Sequence, residues 1–226
     1  MRPRLSHLAL TLLASFPAIG QDVKLKDTVG AKPPEGAIVL FNGKSLEGWL
    51  SRDGKAADKW GAADGIMTVK GGGDIHTEKT FNSFKLHIEF NCPYMPDAKG
   101  QARGNSGVYL QGRYELQVLD SYGLPPKNNE CGAIYQQIVP AVNACKPPLQ
   151  WQSYDVTFHA AQRDGNKVTK RARISVVQNG VTIIDDKEID VTPGGLGGPA
   201  GEPGPLLLQD HGNPVQFKNI WIVPIP

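Results

Sequence analysis

The sequence predicts an all-β protein, a sandwich or jelly roll of two antiparallel sheets. Three observations point there. Short runs alternate apolar with polar residues, 26 glycines and 18 prolines punctuate the chain, and no stretch carries an apolar stripe of helical period. In chain order, Leu86, Ile88 and Phe90 alternate with Lys85, His87 and Glu89, the pattern of a strand with one face inward. Tyr114, Leu116 and Val118 then alternate with Arg113, Glu115 and Gln117. Tyr154, Val156 and Phe158 do so with Asp155, Thr157 and His159. The β-branched runs Ile174 to Val177, Val181 to Ile184 and Ile220 to Val223 add further strands. Gln178-Asn179-Gly180 predicts a tight hairpin, because Asn-Gly accepts positive φ at both central positions. The stretches Tyr94 to Gly104 and Thr192 to Gly204, polar or rich in Gly and Pro, are expected as loops at sheet edges or over a cleft.

Residues 1–20 read as a secretory signal peptide. Arg2 and Arg4 form its basic start, Leu8 to Phe16 its apolar core, and Ala18-Ile19-Gly20 a small-residue cleavage site. Export to the periplasm or the exterior is therefore expected. Residues 21–36, polar and containing Pro33-Pro34, read as an extended linker, and the β domain is expected over 37–226. No apolar segment is long enough to predict a membrane span. With 24 basic against 22 acidic residues, the chain lacks the basic stripe that nucleic-acid binding needs. The run Lys167, Lys170, Arg171 and Arg173 reads as a solvated strand face. Of three cysteines, Cys92 is in phase with Leu86, Ile88 and Phe90 and reads as core. Cys131 and Cys145 fall in loop-like sequence and could pair as a disulfide. No cysteine and histidine spacing suits zinc. The loops leave room for a divalent metal such as calcium, no other cofactor is indicated, and the oligomeric state stays open.

In a two-layer sandwich the outward phase of a strand faces water or a groove. The strand from Gln111 to Asp120 carries an unusual outward set: Gln111, Arg113, Glu115 and Gln117. A guanidinium, a carboxylate and two amides in one row can bind hydroxyls and a carbonyl in fixed geometry. Strict alternation turns Asp120 inward, where an unpaired carboxylate is costly. A bulge after Gln117 would bring it to the face of Glu115. The plainer alternative is an exposed face held by an Arg113–Glu115 salt bridge. Upstream, Gly104-Asn105-Ser106-Gly107 turns the chain sharply and could present the Asn105 amide to a ligand. Leu206-Leu207-Leu208 runs into Gln209-Asp210-His211-Gly212, which places Gln209 and His211 on one face. A histidine at a strand exit is a candidate general acid or base; the alternative is a histidine bonded to a loop carbonyl. His87 and Glu89 share their phase with Lys85 and read as a solvated face. No nucleophile elbow, P-loop or paired metal-ligand set is present.

These pieces occur in a particular order. Phe41-Asn42-Gly43-Lys44-Ser45-Leu46-Glu47-Gly48-Trp49 comes first, followed by Trp60 with Asp64-Gly65, and then Asn105-Ser106-Gly107. Tyr114-Glu115-Leu116-Gln117 with Asp120, Gly132-Ala133-Ile134-Tyr135 and Trp151-Gln152-Ser153-Tyr154 come next. Asn179-Gly180 follows, and Leu208-Gln209-Asp210-His211-Gly212 precedes Phe217-Lys218-Asn219-Ile220. From about Ala37 to Ile225 this resembles the bacterial 3-keto-disaccharide hydrolase domain family. The resemblance implies a concanavalin-like jelly roll with a concave ligand face, related to laminarin-type glucanases and lectins. It also implies export and a small carbohydrate substrate, a glycoside whose C3 hydroxyl has been oxidised to a ketone. Taken with the residues read above, it points to Glu115, His211 and Asp120 for catalysis, and to Arg113, Gln117, Asn105, Gln111, Gln209 and Tyr135 for substrate binding. The glucanases carry Glu-x-Asp-x-x-Glu, whereas here the spacing reads Glu115-x-Gln117-x-x-Asp120. An amide therefore replaces the middle acid and the last acid is one carbon shorter. That departs from a retaining glycosidase, whose two carboxyls stand about 5 to 5.5 Å apart. Chemistry beside a ketone asks for less: one base, one acid and a donor or cation at the ketone oxygen, for which Arg113 or a bound metal is a candidate. The alternative function is a non-catalytic, lectin-like binding module, with Trp49, Trp60, Trp151 or Trp221 stacked on sugar rings rather than packed in the core.

Overall fold

The computed structural model describes residues 28–226; the expected signal peptide and the first part of the expected linker lie outside the described residues. The first strands are β1 (Ile38–Val39), β2 (Trp49–Ser51), β3 (Gly61–Ala63), β4 (Ile66–Thr68), β5 (Ile75–Phe81) and β6 (Ser83–Asn91). After a 3₁₀ turn at Gly100–Ala102 come β7 (Ser106–Leu110), β8 (Tyr114–Val118), β9 (Gln152–His159), β10 (Gln162–Asp164) and β11 (Lys167–Lys170). β12 (Ala172–Gln178), β13 (Val181–Ile189), β14 (Gly204–Leu208) and β15 (Gln216–Ile225) complete the chain, with no α-helix among the described residues. The eight-stranded sheet runs β13-β12-β9-β6-β15-β4-β3 with β1 paired to β15, and the five-stranded sheet runs β2-β5-β14-β7-β8. This is the antiparallel two-sheet jelly-roll sandwich that the sequence predicts.

The inward phases meet between the sheets. Leu86, Ile88 and Phe90 of β6, Val156 and Phe158 of β9 and Phe217 and Ile222 of β15 are buried against Val108 and Leu110 of β7 and Leu116 and Val118 of β8. Each such side chain contributes roughly 1.5–3 kcal/mol by leaving water. An aromatic chain ties the layers together: Phe84 lies 5.2 Å from Phe158, which lies 5.3 Å from Tyr114. The Asn-Gly hairpin forms as expected, with φ of 51° at Asn179 and 80° at Gly180. Its asparagine also works inward, accepting from Ser153 N and donating to Ala144 O. On the small sheet, the register aligns Leu50, His76, Leu207, Tyr109 and Glu115 in one row on the face turned away from the core.

Two expectations need correction. Cys131 and Cys145 lie in irregular chain as expected but form no disulfide; with Cys92 they are buried free thiols. Cys131 Sγ meets Tyr154 Oη at 3.0 Å, and the Gln178 amide reaches both Cys131 and Cys145. The enclosed sulfurs thus have polar partners without a covalent bond.

His87 and Glu89 are not solvated either. They lie on the outer face of the large sheet but are fully buried, because part of the presumed linker packs over them. Gly30 N donates to Glu89 Oε1 at 2.6 Å, and Asn219 Nδ2 donates both to Glu89 Oε1 and to Ala31 O. Thr28 and Ser153 share a hydroxyl–hydroxyl hydrogen bond. His87 sits between Asp155 at 2.6 Å and Glu89 at 3.3 Å, stacked on Trp221, and Lys218 stands 3.6 Å from Glu89. Burial alone would lower the His87 pKa, but the two carboxylates outweigh it and raise the value to about 9. Burial likewise pushes Glu89 up, yet bonds from His87, Asn219 and Gly30 hold it below the usual range.

The raised histidine stabilises the fold fully below its unfolded value near 6.5, and that stabilisation is lost as pH rises through about 9. Urea denaturation followed across this range should therefore show stability falling on the alkaline side. A His87→Gln variant, which cannot titrate, should flatten that limb. A slope unchanged in the variant would remove His87 from the account.

Candidate active site

The alternation in β8 that sends Tyr114, Leu116 and Val118 into the core turns Glu115 and Gln117 onto the outer face of the small sheet. Opposite them on β7 stand Tyr109, paired with Glu115, and Gly107, paired with Gln117. Tyr109 Oη donates to Glu115 Oε2 at 2.8 Å. A Cβ on Gly107 would come within 2.8 Å of Glu115 Oε1, so the glycine makes room for the carboxylate.

These residues open into a pocket of about 220 Å³. Six residues expected from the sequence line it: Glu115, Gln117, Asn105, Gln209, Tyr135 and His211. The central acid and the distant histidine therefore share one cavity. His211 is exposed at its mouth. Its segment is held by Gly212 N donating to Asp210 Oδ1, and by Asp210 bonding to Gly73 N and Asp74.

Four lining residues went unread in the sequence: Gln101, Tyr109, Pro193 and Gly194. Tyr109 had a signal, since it takes the outward phase between Val108 and Leu110. Gln101 had none; the loop before Asn105 brings it in, where it accepts from Gln117 Nε2 at 2.8 Å through its side chain and from Asn105 Nδ2 at 2.7 Å through its carbonyl.

Glu115 is only 3% exposed. Burial raises its pKa, the Tyr109 hydroxyl pulls it back, and the charge of Asp74 adds to the rise, leaving it at about 7. Burial and the adjacent carboxylate push the Tyr109 phenol well up, so it remains a donor. Three amide oxygens of the lining, Asn105 Oδ1, Gln117 Oε1 and Gln209 Oε1, are buried without a hydrogen-bond partner. Each such acceptor costs about 1–3 kcal/mol if nothing reaches it. Hydroxyl donors would satisfy all three. One carboxylate with amide oxygens also suits an oxygen-seeking ion such as calcium, and Glu115, Gln117, Asn105 and Gln209 would be its ligands. Among the described residues no group of three or more His, Cys, Asp or Glu is placed to hold a metal.

The remaining expected residues stand elsewhere. β8 ends at Val118, and no bulge carries Asp120 to the face of Glu115. Its carboxylate instead lies 3.5 Å from Arg103 Nε. Arg113 points away from the pocket into the loop Thr192–Gly204, donating to Gly197 O at 3.0 Å and Glu202 O at 2.8 Å. It makes no ion pair with Glu115. Gln111 closes the β7–β8 turn with φ of 51°, and its amide donates to the carbonyls of Phe81 and Asn82. Arg113 thus shapes the site at one remove. The loop it holds brings Pro193 and Gly194 over Tyr109, and a Cβ on Gly194 would lie 2.9 Å from Tyr109 Oη. Trp49 and Trp60 are buried, Trp151 carries Lys218 over its ring at 4.1 Å, and none of the four tryptophans lines this pocket.

Residues 36–223 match the family described as the 3-keto-alpha-glucoside-1,2-lyase-like domain. The chain belongs to this family. Among solved structures, a candidate glycosyl hydrolase from Parabacteroides distasonis is 40% identical, with 85% of each chain covered and a TM-score of 0.75. A second candidate glycosyl hydrolase from the same organism, 23% identical over 85% of this chain and 95% of its own, has a TM-score of 0.63 and shares the fold. No curated protein matches the chain. The family and the 40% identical relative support a carbohydrate-active function.

In this lyase-like domain, Arg113→Ala should release the 192–204 loop while leaving the sandwich folded. We expect a loss of about 1–3 kcal/mol in stability, from carbonyls left without their donor, and faster limited proteolysis within the loop. Equal cleavage of variant and parent would show that the loop is held by other means.

Proposed function

We propose that the protein is an exported enzyme that cleaves 3-keto-glycosides by elimination across C1 and C2, with hydration of the product completing a net hydrolysis. The single observation that carries this is Glu115: a buried carboxylate with a pKa near neutrality, in one pocket with His211 and three unpartnered amide oxygens. The family match supports the substrate class, the 40% identical candidate glycosyl hydrolase supports action on a glycoside, and the N-terminal signal pattern supports export.

A ketone at C3 acidifies the proton on C2. Glu115, ionised and with Oε2 held by Tyr109, takes that proton. The C2 electron pair forms the C1–C2 double bond, and the C1–O bond breaks with its electrons on the leaving oxygen. His211 at the pocket mouth gives that oxygen a proton. Water then adds across the double bond to regenerate a 3-keto sugar. The unpartnered oxygens of Asn105, Gln117 and Gln209 accept the sugar hydroxyls and fix the ring. Arg113 is committed to loop carbonyls and takes no part at the ketone. The scheme needs one base, one acid and a donor or cation at the ketone oxygen rather than two carboxyls at glycosidase spacing, which agrees with Gln117 in the middle position and Asp120 outside the pocket.

Purified protein should consume a 3-keto-glucoside and leave the unoxidised parent untouched. Tight binding of either sugar without turnover would favour a lectin-like module instead. Glu115→Gln and His211→Ala should each slow turnover at least about tenfold with the fold intact, and full activity in both would place the chemistry elsewhere.

As a base, Glu115 works when ionised, so kcat/KM should rise with pH through about 7. The Tyr109 hydrogen bond favours the ionised form, so Tyr109→Phe should move that limb to higher pH. A limb that stays in place or moves down would contradict the assignment.

A further inference from the structure

A second, larger cavity of about 630 Å³ opens beside the candidate active site. The two are linked through Asp74 and Arg52. Asp74 lines the larger cavity and accepts from Arg52 Nε at 2.8 Å and from Asp210 N at 2.8 Å, next to the pocket residues Gln209 and His211. Arg52 continues across to the carbonyls of Gly194, which lines the smaller pocket, and Gly195. Asp74 is close enough that its charge is felt at Glu115. Both cavities draw on the small sheet, the larger from the β2 and β5 side and the smaller from β7, β8 and the exit of β14.

Their sizes differ in a way that matters for a glycoside. Cavities that enclose whole ligands measure about 300–1,000 Å³. The 220 Å³ pocket lies below that range and the 630 Å³ cavity lies well inside it. The charges of the larger cavity cancel internally: Arg52 pairs with Asp74, Lys55 pairs with Asp53 at 2.9 Å, and Lys59 follows Asp58. Nothing there calls for a charged ligand. Ala56 is exposed on the lining, while Ala57, Ile75 and Trp60 form its buried floor, with Trp60 fixed by Nε1 donating to Gly73 O.

We infer that the cavity bounded by Arg52, Asp74 and Trp60 is the leaving-group subsite, taking an uncharged, hydroxyl-bearing ring at least the size of a hexose while the small pocket holds the oxidised ring. This rests on the reaction proposed above and assigns a place to the second ring that a 3-keto-disaccharide carries.

Ala56 is exposed on the cavity lining, so Ala56→Trp fills the space without touching the small pocket. The readout is the ratio of kcat/KM for a 3-keto-disaccharide with glucose as its second ring to that for methyl 3-keto-glucoside. In the variant this ratio should fall at least about tenfold, and an unchanged ratio overturns the subsite. Should Ala56→Trp fail to fold, Asp58→Trp, also exposed on the lining, makes the same test.

If the wild-type protein consumes neither ketosugar, the proposed reaction fails, and binding decides the subsite by itself. Saturation transfer from the wild-type protein to free glucose, lost in the filled variant, would support it. No transfer, or equal transfer to both proteins, would overturn it.

Discussion

A carboxylate almost wholly removed from water, on the face of a sheet that turns away from the core, is the constraint around which this protein is arranged. Glu115 cannot occupy that place unaided. Tyr109 supplies one hydrogen bond, Gly107 supplies the space, and the strand's own alternation supplies the direction. The Gly-rich loop that excludes solvent from above is itself held down by Arg113, a residue of the same β8 segment. Acid, roof and anchor therefore come from one short stretch of chain, and a shift of register in β8 would disturb all three together.

Most of the architecture could be read from the sequence because a sandwich writes itself as period two. Leu86, Ile88 and Phe90, and Leu116 and Val118, identify their strands and their inward faces directly, and Asn179-Gly180 marks its hairpin. Half-buried strands cannot hide that rhythm. What alternation does not reveal is which outward residues stay wet. Lys85, His87 and Glu89 have the same phase, yet a stretch some sixty positions upstream covers His87 and Glu89. Cys131 and Cys145 failed similarly. Their irregular sequence suggested a disulfide between loops, but irregular chain can be packed inside with its thiols unpaired when each polar group finds a partner.

The site was legible to the same degree and for the same reason. Glu115, Gln117, Gln209 and His211 lie on strands or just past a strand end, where phase predicts direction, and they converge. Arg113 and Gln111 have the right phase but sit where β8 begins and where β7 turns, and there the nearest carbonyls claim them. Asp120 lies past the strand end, where alternation no longer applies. Gln101 enters from a loop that carries no periodic signal. The departure from the glucanase acid pattern, visible in the sequence as Gln117, is consistent with this geometry: the pocket has one carboxylate and surrounds it with amides.

The segment Thr28–Ala31, fastened by Glu89, Asn219 and Ser153, lies across the back of the sandwich, on the side away from the pocket. The chain thus joins the domain from behind. A bead, a dye or a partner domain grafted directly onto Thr28 would attach at the rear and leave the pocket side unobstructed, so a form immobilised at that residue keeps its mouth toward the solution.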